Sequence, residues 1–143
     1  MMRTFSFVAV FLLAALAATL ARTEGYLATD IVKLPDLVFG VDKEGFRVSQ
    51  EEYNLETGKA YQLTLVASGK REYAIRGDDF FNFIWLRKIE VRDVEIKATG
   101  LYEIEMEREG KAILVFVPIR PGKYRIYAKG LEVKGAIAAI NVK

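Results

Sequence analysis

The stretch "PGKYRIYAKGLEVKGAIAAINV", residues 121–142, decides the fold class. Its opening Pro121-Gly122 favours a turn, and residues 123–127 then read as a short run of aromatic and β-branched side chains. A segment with two glycines and two lysines follows, and residues 136–142 form a second apolar run of strand type. A turn, a strand, a short loop and a closing strand in this order predict the last two strands of an all-β domain.

Further strand-like runs precede this stretch at residues 60–67, 89–96, 101–106 and 112–117, and turn residues separate them. The run 89–96 alternates with one slip at Arg92-Asp93, which favours a β-bulge there. Short strands at this spacing predict an antiparallel sandwich or barrel of about seven to eight strands.

The N-terminus has the order of a secretory signal. A cationic Met1-Met2-Arg3 precedes sixteen uncharged residues, 5–20, and the small residues Thr19 and Ala21 lie where a signal peptidase reads. Sixteen residues are short for a membrane anchor, which needs about 20. We predict a cleaved signal peptide over residues 1–21, a single domain over 22–143, and a periplasmic or secreted protein with no membrane span after cleavage.

Two residue types are absent from the chain, because it contains neither His nor Cys. This excludes disulfides, the usual general base at neutral pH, and the Ser-His and Cys-His nucleophile pairs. Of the 21 Lys and Arg residues, only Arg3 lies in the signal segment, which leaves 20 positive against 19 negative side chains. That balance is not the basic footprint of a nucleic-acid partner. We expect a protein that is not an enzyme.

The order of motifs resembles the cupredoxins, small β-sandwiches that carry type 1 copper. It is similar above all to the cupredoxin-like modules of bacterial metal and iron uptake systems, the EfeO-type group. The likeness covers residues 46–142 and rests on the segment 68–75 ("SGKREYAI"), the segment 116–128 ("FVPIRPGKYRIYA") and the segment 134–138 ("KGAIA"). It implies a cupredoxin-like Greek-key sandwich.

The resemblance also assigns the family's four copper-ligand positions. Arg71 matches the first His, Ala128 the Cys, Glu132 the second His and Ala136 the Met. A type 1 site needs two imidazoles and a thiolate, so we predict that this chain cannot form one. Arg71 and Glu132 have opposite charges, and we consider an ion pair between them as a clasp in place of the metal; the alternative is that both are solvated.

Three other groups of residues deserve a prediction. The aromatic stretch Phe80, Phe81, Phe83 and Trp85 should mostly fill the core, and any part left exposed would be a recognition patch. Asp78-Asp79 should bond the backbone of its own turn. The alternating Glu103, Glu105, Glu107 and Glu109 predict a solvated strand face, or a cation site of carboxylate oxygens.

Two readings of function follow. The leading one is an exported, non-enzymatic binding or accessory protein without a cofactor, whose partner is another exported or membrane protein. Its recognition end would combine the aromatic stretch with the loop 128–136. The alternative is copper or iron binding through the oxygens of Glu132, or of Glu103, Glu105 and Glu107, with Met106 as a further ligand. Convergence of these carboxylates in one pocket would favour the alternative.

Overall fold

The computed structural model describes residues 28–143. The predicted signal peptide and the first residues after it lie outside this range, so the cleavage site stays a prediction. The strands are β1 Val32–Lys33, β2 Leu37–Phe39, β3 Glu52–Leu55, β4 Tyr61–Ala67, β5 Tyr73–Arg76, β6 Ile84–Val91, β7 Val94–Ile96, β8 Glu103–Met106, β9 Gly110–Pro118, β10 Gly122–Ala128 and β11 Ile137–Val142. A short helix, α1, spans Asp79–Asn82, and a 3₁₀ helix spans Glu132–Lys134. Within residues 28–143, no helix is long and apolar enough to cross a membrane.

The strands form two sheets that pack face to face. Sheet A has the order β1-β4-β9-β6-β7, with β2 also paired to β4, and sheet B has the order β3-β11-β10-β5-β8. Most pairs are antiparallel; β1 and β2 run parallel to β4, and β3 runs parallel to β11. The prediction of an all-β sandwich is confirmed. Strands are more numerous than expected because β1, β2 and β3 are too short to give a periodic signal.

The region 89–96 is a hairpin rather than one bulged strand. Val91 pairs with Val94 across a two-residue turn at Arg92-Asp93, and Arg92 has a positive φ of 53°. The irregularity in strand pairing lies earlier, between Leu86 and Lys88 on β6. The slip in the sequence therefore marked a change of strand, because a tight turn also interrupts the alternation of side chains.

The core lies between the sheets and is built from alternate residues of the central strands. Sheet A contributes Leu63, Leu65, Leu114 and Phe116, and sheet B contributes Tyr73, Ile75, Ile126 and Ile140; all are at most 1% exposed. Full burial of a large aliphatic side chain contributes roughly 1.5–3 kcal/mol. These two central rows therefore hold the sandwich together.

The direction of β10 defines the two ends of the sandwich. Gly122 at its start pairs with Val142, and Ala128 at its end donates a backbone hydrogen bond to Ala136. We call the Ala128 side the loop end, since the loop 128–136 lies there. The opposite end carries Pro118, which pairs with Ile84 at the start of β6.

Candidate functional site

Two of the copper-ligand positions meet at the loop end. The amide of Ala128 donates to the carbonyl of Ala136 over 2.9 Å, and both methyl side chains are fully buried. The loop between them is closed by its own backbone: Leu131 donates to the carbonyl of Ala128, and Ala136 donates back to that of Leu131. The two positions are thus adjacent, as the resemblance implies, but methyl groups offer no donor atom to a metal.

The clasp between Arg71 and Glu132 is not formed. Within the described part of the chain, no Arg71–Glu132 pair lies within ion-pair distance. Instead, the Nε atom of Arg71 donates to the backbone carbonyl of Glu44 over 2.6 Å. Of the two alternatives, the ion pair is therefore contradicted; it considered only residues that match family ligands, whereas Arg71 is held by a loop far upstream.

Phe46 lies between the two halves that the clasp was meant to join. The guanidinium carbon of Arg71 is 4.0 Å from the centroid of the Phe46 ring, and the Nζ atom of Lys134 is 5.4 Å from the same centroid. A cation over an aromatic face is attracted by the ring quadrupole. One half-buried ring therefore contacts a cation from the segment 68–75 and another from the loop 128–136. We call this arrangement the Phe46 clasp.

The loop 42–47 presents Phe46 in a fixed geometry. The Oδ1 atom of Asp42 accepts hydrogen bonds from the amides of Phe46 and Arg47, both over 2.7 Å. The Arg47 amide is the main cause that lowers the pKa of the Asp42 carboxyl below its ordinary value, because a hydrogen-bonded carboxylate is favoured over the protonated acid. The amide of Gly40 closes the loop by donating to the carbonyl of Arg47.

Three side chains of the segment 70–73 hold this loop by its carbonyl oxygens. Besides Arg71, the Nζ atom of Lys70 donates to the carbonyl of Asp42 over 2.6 Å, and the buried hydroxyl of Tyr73 donates to that of Gly45 over 2.9 Å. Gly45 has φ +78°, and a Cβ there would lie 2.9 Å from the Cβ of Lys70. Only glycine fits this position without strain.

Sequence reasoning did not identify the loop 42–47 as part of the site. The stretch Asp42-Lys43-Glu44-Gly45 carries a turn signal, since Asp and Gly are both typical turn residues. That signal predicts a turn, but it does not indicate which distant segment the turn packs against. The residue that joins the two halves was therefore visible only in three dimensions.

The candidate oxygen ligands do not gather in one place. Glu103 is bound to Arg76, whose Nε atom lies 2.6 Å from its carboxylate. Glu105 lies on the same face of β8, whereas the Met106 side chain points the other way, into the core. Glu107 lies beyond β8, and Glu132 begins the 3₁₀ helix of the loop 128–136. Over residues 28–143, no three acidic side chains are placed to hold a metal ion.

One close pair of carboxyl groups does occur. A hydrogen bond with the Glu72 carboxyl group raises the pKa of Glu105, and the repulsion of two like charges adds to this effect. Both residues are exposed at the edge of sheet B. Two carboxylates alone do not make a defined cation site, which needs more oxygen ligands.

The aromatic stretch divides between core and surface. Phe80 and Phe81 are 1% and 3% exposed, so these two members of the predicted patch cannot contact a partner. Phe83 is half-buried beneath the guanidinium of Arg120, and only Trp85 is well exposed, at 56%. The helix α1 explains the split, because it directs Phe80 and Phe81 inward before β6 begins.

Trp85 and the loop 128–136 lie at opposite ends of the molecule. Trp85 pairs with Val117 beside Pro118, whereas the loop follows the far end of the seven-residue strand β10. At a rise of about 3.3 Å per residue, the two ends are roughly 20 Å apart. The expectation of one recognition end formed by both segments was therefore wrong.

Asp78 has a different role from the one predicted. Its Oδ1 atom accepts a hydrogen bond from the Tyr127 hydroxyl over 2.7 Å, and its Oδ2 atom lies 3.3 Å from Nη2 of Arg125. The carboxylate thus joins the turn before α1 to β10 rather than bonding its own turn. The hydrogen bond to Asp78 raises the pKa of the Tyr127 hydroxyl.

The most exposed large apolar side chain within residues 28–143 is at the loop end. Val133 is 93% exposed in the middle of the 3₁₀ helix. Lys134 follows it directly, and the exposed Lys129 precedes the 3₁₀ helix in the same loop. An isolated apolar tip with nearby cations thus projects from a loop that its own hydrogen bonds hold closed.

Comparison with known proteins gives no match by sequence: no protein-family model matches the chain, and no curated protein does. Solved structures do match. A copper nitrite reductase from Nitrosomonas europaea has a TM-score of 0.59 at 12% identity, over 85% of this chain and 52% of its own. A multicopper oxidase from Campylobacter jejuni has a TM-score of 0.58 at 10% identity, over 81% of this chain and 31% of its own.

The McoA multicopper oxidase variant from Aquifex aeolicus gives a similar result, with a TM-score of 0.58, 10% identity, and coverage of 78% of this chain and 29% of its own. The chain thus spans between about a third and a half of the length of these proteins. At such low identity the likeness concerns the fold alone. With its two packed sheets, the chain has the cupredoxin-like β-sandwich fold.

Proposed function

We propose that this is an exported, non-enzymatic binding or accessory module of the cupredoxin-like, EfeO-type kind, without a type 1 copper site. The chemistry of the matched positions supports this. Type 1 copper needs imidazole and thiolate donors, and the chain has neither His nor Cys. Ala128 and Ala136 are buried methyl groups, and Arg71 is a cation with no lone pair to offer.

The observation that carries the proposal is the Phe46 clasp. In a cupredoxin, a metal ion joins the segment that corresponds to 68–75 to the loop that corresponds to 128–136. Here Phe46 contacts Arg71 from the first segment and Lys134 from the second. A clasp of side chains keeps the loop end ordered without a metal, which suits a scaffold that presents a surface rather than one that transfers electrons.

The surface it would present is the tip of the loop 128–136. Val133 projects into solvent between Glu132 and Lys134 in the sequence, and the exposed Lys129 lies in the same loop. An apolar side chain in such a place fits a small apolar socket with acidic surroundings on a partner. We therefore propose another exported or membrane protein as the partner.

Metal loading tests the proposal that the protein works without a bound metal. The purified protein is incubated with copper(I), copper(II) or iron, and bound metal is measured by elemental analysis and calorimetry. We expect no binding above a nonspecific control. One tightly held equivalent would overturn the proposal; its loss in Glu132→Gln or in Glu105→Gln would then locate the oxygen ligands at the loop end or at β8.

Site-specific photo-crosslinking in the native cell tests the proposal that the tip of the loop 128–136 contacts a partner protein. A photoreactive amino acid replaces Val133, and the matched control replaces Tyr102, which is 72% exposed on the approach to β8. We expect a defined adduct with an exported or membrane protein at position 133 and none at 102. Adducts of equal yield at both positions, or at neither, would contradict a recognition role for the loop.

Metal binding through carboxylates is the second candidate; the Glu72–Glu105 pair would supply part of the oxygen ligands, and the others would have to come from water or a partner. Their mutual effect raises the pKa of Glu105, and a cation between them would relieve the repulsion. The same loading experiment with Glu105→Gln separates this candidate from the first.

A further inference from the structure

Sheet A ends in a strand with one free edge. Among the described residues, β7 pairs with β6 only, and all three of its residues are exposed. The backbone N–H and C=O groups along such an edge are a template for another strand. Natural edge strands are protected by short length, charged side chains, a proline, a bulge or an inward-pointing charge. β7 is short and carries Glu95 on its outer face, but it has no proline, bulge or inward-pointing charge.

The inner face of this edge is apolar and uncovered. Ile96 pairs with the buried Ile89, so Ile96 and Val94 point to the inner side of sheet A. They are nevertheless 42% and 59% exposed. The chain leaves β7 for β8, the last strand of sheet B, and sheet B does not extend far enough to cover them.

A groove lies next to the β6–β7 turn, although no residue of β7 lines it. It has a volume of about 640 Å³ and lies between the β6–β7 turn and the β8–β9 connection. Its apolar lining consists of Val91, Ile104, Met106 and Ala112. A strand added along β7 would bring further apolar side chains to this open side of the sandwich.

The outer face of β7 carries charges in an order that is complementary to itself. Glu95 lies on β7 and Lys97 is the first residue after the strand; they contact each other over 2.7 Å, and Glu95 also lies 3.2 Å from Lys88 of β6. If a second copy of β7 is placed antiparallel about a two-fold axis at Ile96, each Glu95 lies opposite Lys97 of the other copy. The four charges then alternate in sign around a square, and directly opposed unlike charges stabilise a strand pair.

The same two-fold register also brings the apolar inner faces of the two β7 strands together. Ile96 lies opposite Ile96 of the second copy, which brings two exposed apolar side chains together. Two-fold pairing of the same surface is the commonest way in which identical chains associate. We propose that the protein forms a homodimer through antiparallel pairing of β7 with β7 of a second copy, which joins the two six-stranded sheets into one.

Sedimentation velocity over a range of concentrations tests this proposal with the purified chain. We expect a reversible monomer–dimer equilibrium for the wild-type protein. Glu95→Lys and Lys97→Glu each place like charges opposite each other in two symmetric pairs. Each variant should raise the dimer dissociation constant roughly tenfold or more. The matched control Arg92→Glu reverses a charge in the turn, outside the paired register, and should leave the constant unchanged.

The decisive measurement is the association of an equimolar mixture of Glu95→Lys and Lys97→Glu. In a mixed dimer every introduced charge faces its opposite, so an equimolar mixture should recover association to near the wild-type level. Ile96→Arg should prevent association alone and in mixtures, while circular dichroism shows that it remains folded. A wild-type protein that is monomeric at all concentrations, or a dimer unaffected by these changes, would overturn the proposal. Failure of the mixture to recover would overturn the register.

Discussion

Replacement of Phe46 tests whether the contact between ring and cations stabilises the loop end. Truncation of a core phenylalanine costs roughly 3–5 kcal/mol, and a half-buried one about half of that. Each cation–π contact near the surface contributes roughly 0.5–1 kcal/mol. Since Phe46 is half-buried beneath Arg71 and Lys134, the sum of these contributions predicts that Phe46→Ala lowers the free energy of unfolding by about 2.5–4.5 kcal/mol.

Phe46→Leu separates the aromatic contribution from the apolar one. Leucine keeps most of the buried apolar surface but has no ring quadrupole, so this variant should lose about 1–2 kcal/mol from the two cation contacts. The matched control is Tyr102→Leu, which removes a single contact of 4.6 Å between Arg76 and a ring that is 72% exposed. That change should cost about 0.5 kcal/mol or less.

Urea unfolding followed by far-ultraviolet circular dichroism measures these differences, because linear extrapolation gives the free energy in water. A double-mutant cycle of Phe46→Leu with Arg71→Met isolates the Arg71 contact from changes in burial. The reasoning would be refuted if Phe46→Leu were as stable as the wild-type protein, or if the cycle gave a coupling energy near zero.

A substitution tests the packing around Phe81, and a change of pH tests the loop 42–47. Gly77→Ala should lower the free energy of unfolding by about 1–3 kcal/mol, because a Cβ there would lie 2.6 Å from the buried Phe81 ring. The control is Gly100→Ala, whose new Cβ has no atom within 4 Å. Thermal denaturation should show a lower melting temperature for the first variant and an unchanged one for the control. Asp42 has a lowered pKa, so its stabilising effect is present above its ordinary value of 3.8 and is lost as the pH falls through the lower folded value. Hydrogen exchange at the Arg47 amide, relative to core amides, should therefore be faster below the folded-state pKa of Asp42 than above it. Equal protection of this amide above and below that pKa would contradict a stabilising hydrogen bond from Arg47 to Asp42.

The elements of the fold were largely readable from the alternation of side chains. The predicted runs 112–117 and 123–127, and all of 60–67 except Ala60, lie in observed strands, because a strand with one buried face must place apolar residues at every second position. The short strands β1, β2 and β3 were not predicted. Two to four residues give no periodicity, and their pairing depends on the strands beside them.

The candidate site was predicted in part. The adjacency of Ala128 and Ala136 follows from a motif whose parts are close in sequence. The division of the aromatic stretch was not predicted in detail, since Phe80 and Trp85 are both large aromatic residues and the sequence does not show which side of the backbone faces the core. Only the helix α1 and the direction of β6 decide which of the two side chains is buried.

By itself, the sequence determined which chemistry the protein lacks and that it forms a β-sandwich, because donor atoms are a matter of composition and strand formation is a matter of local alternation. The tertiary structure alone decided what occupies the loop end. Phe46, Arg71 and Lys134 are separated by 25 residues or more along the chain, and no local preference encodes contact at such a distance. They meet because two packed sheets and a hydrogen-bonded loop bring them together.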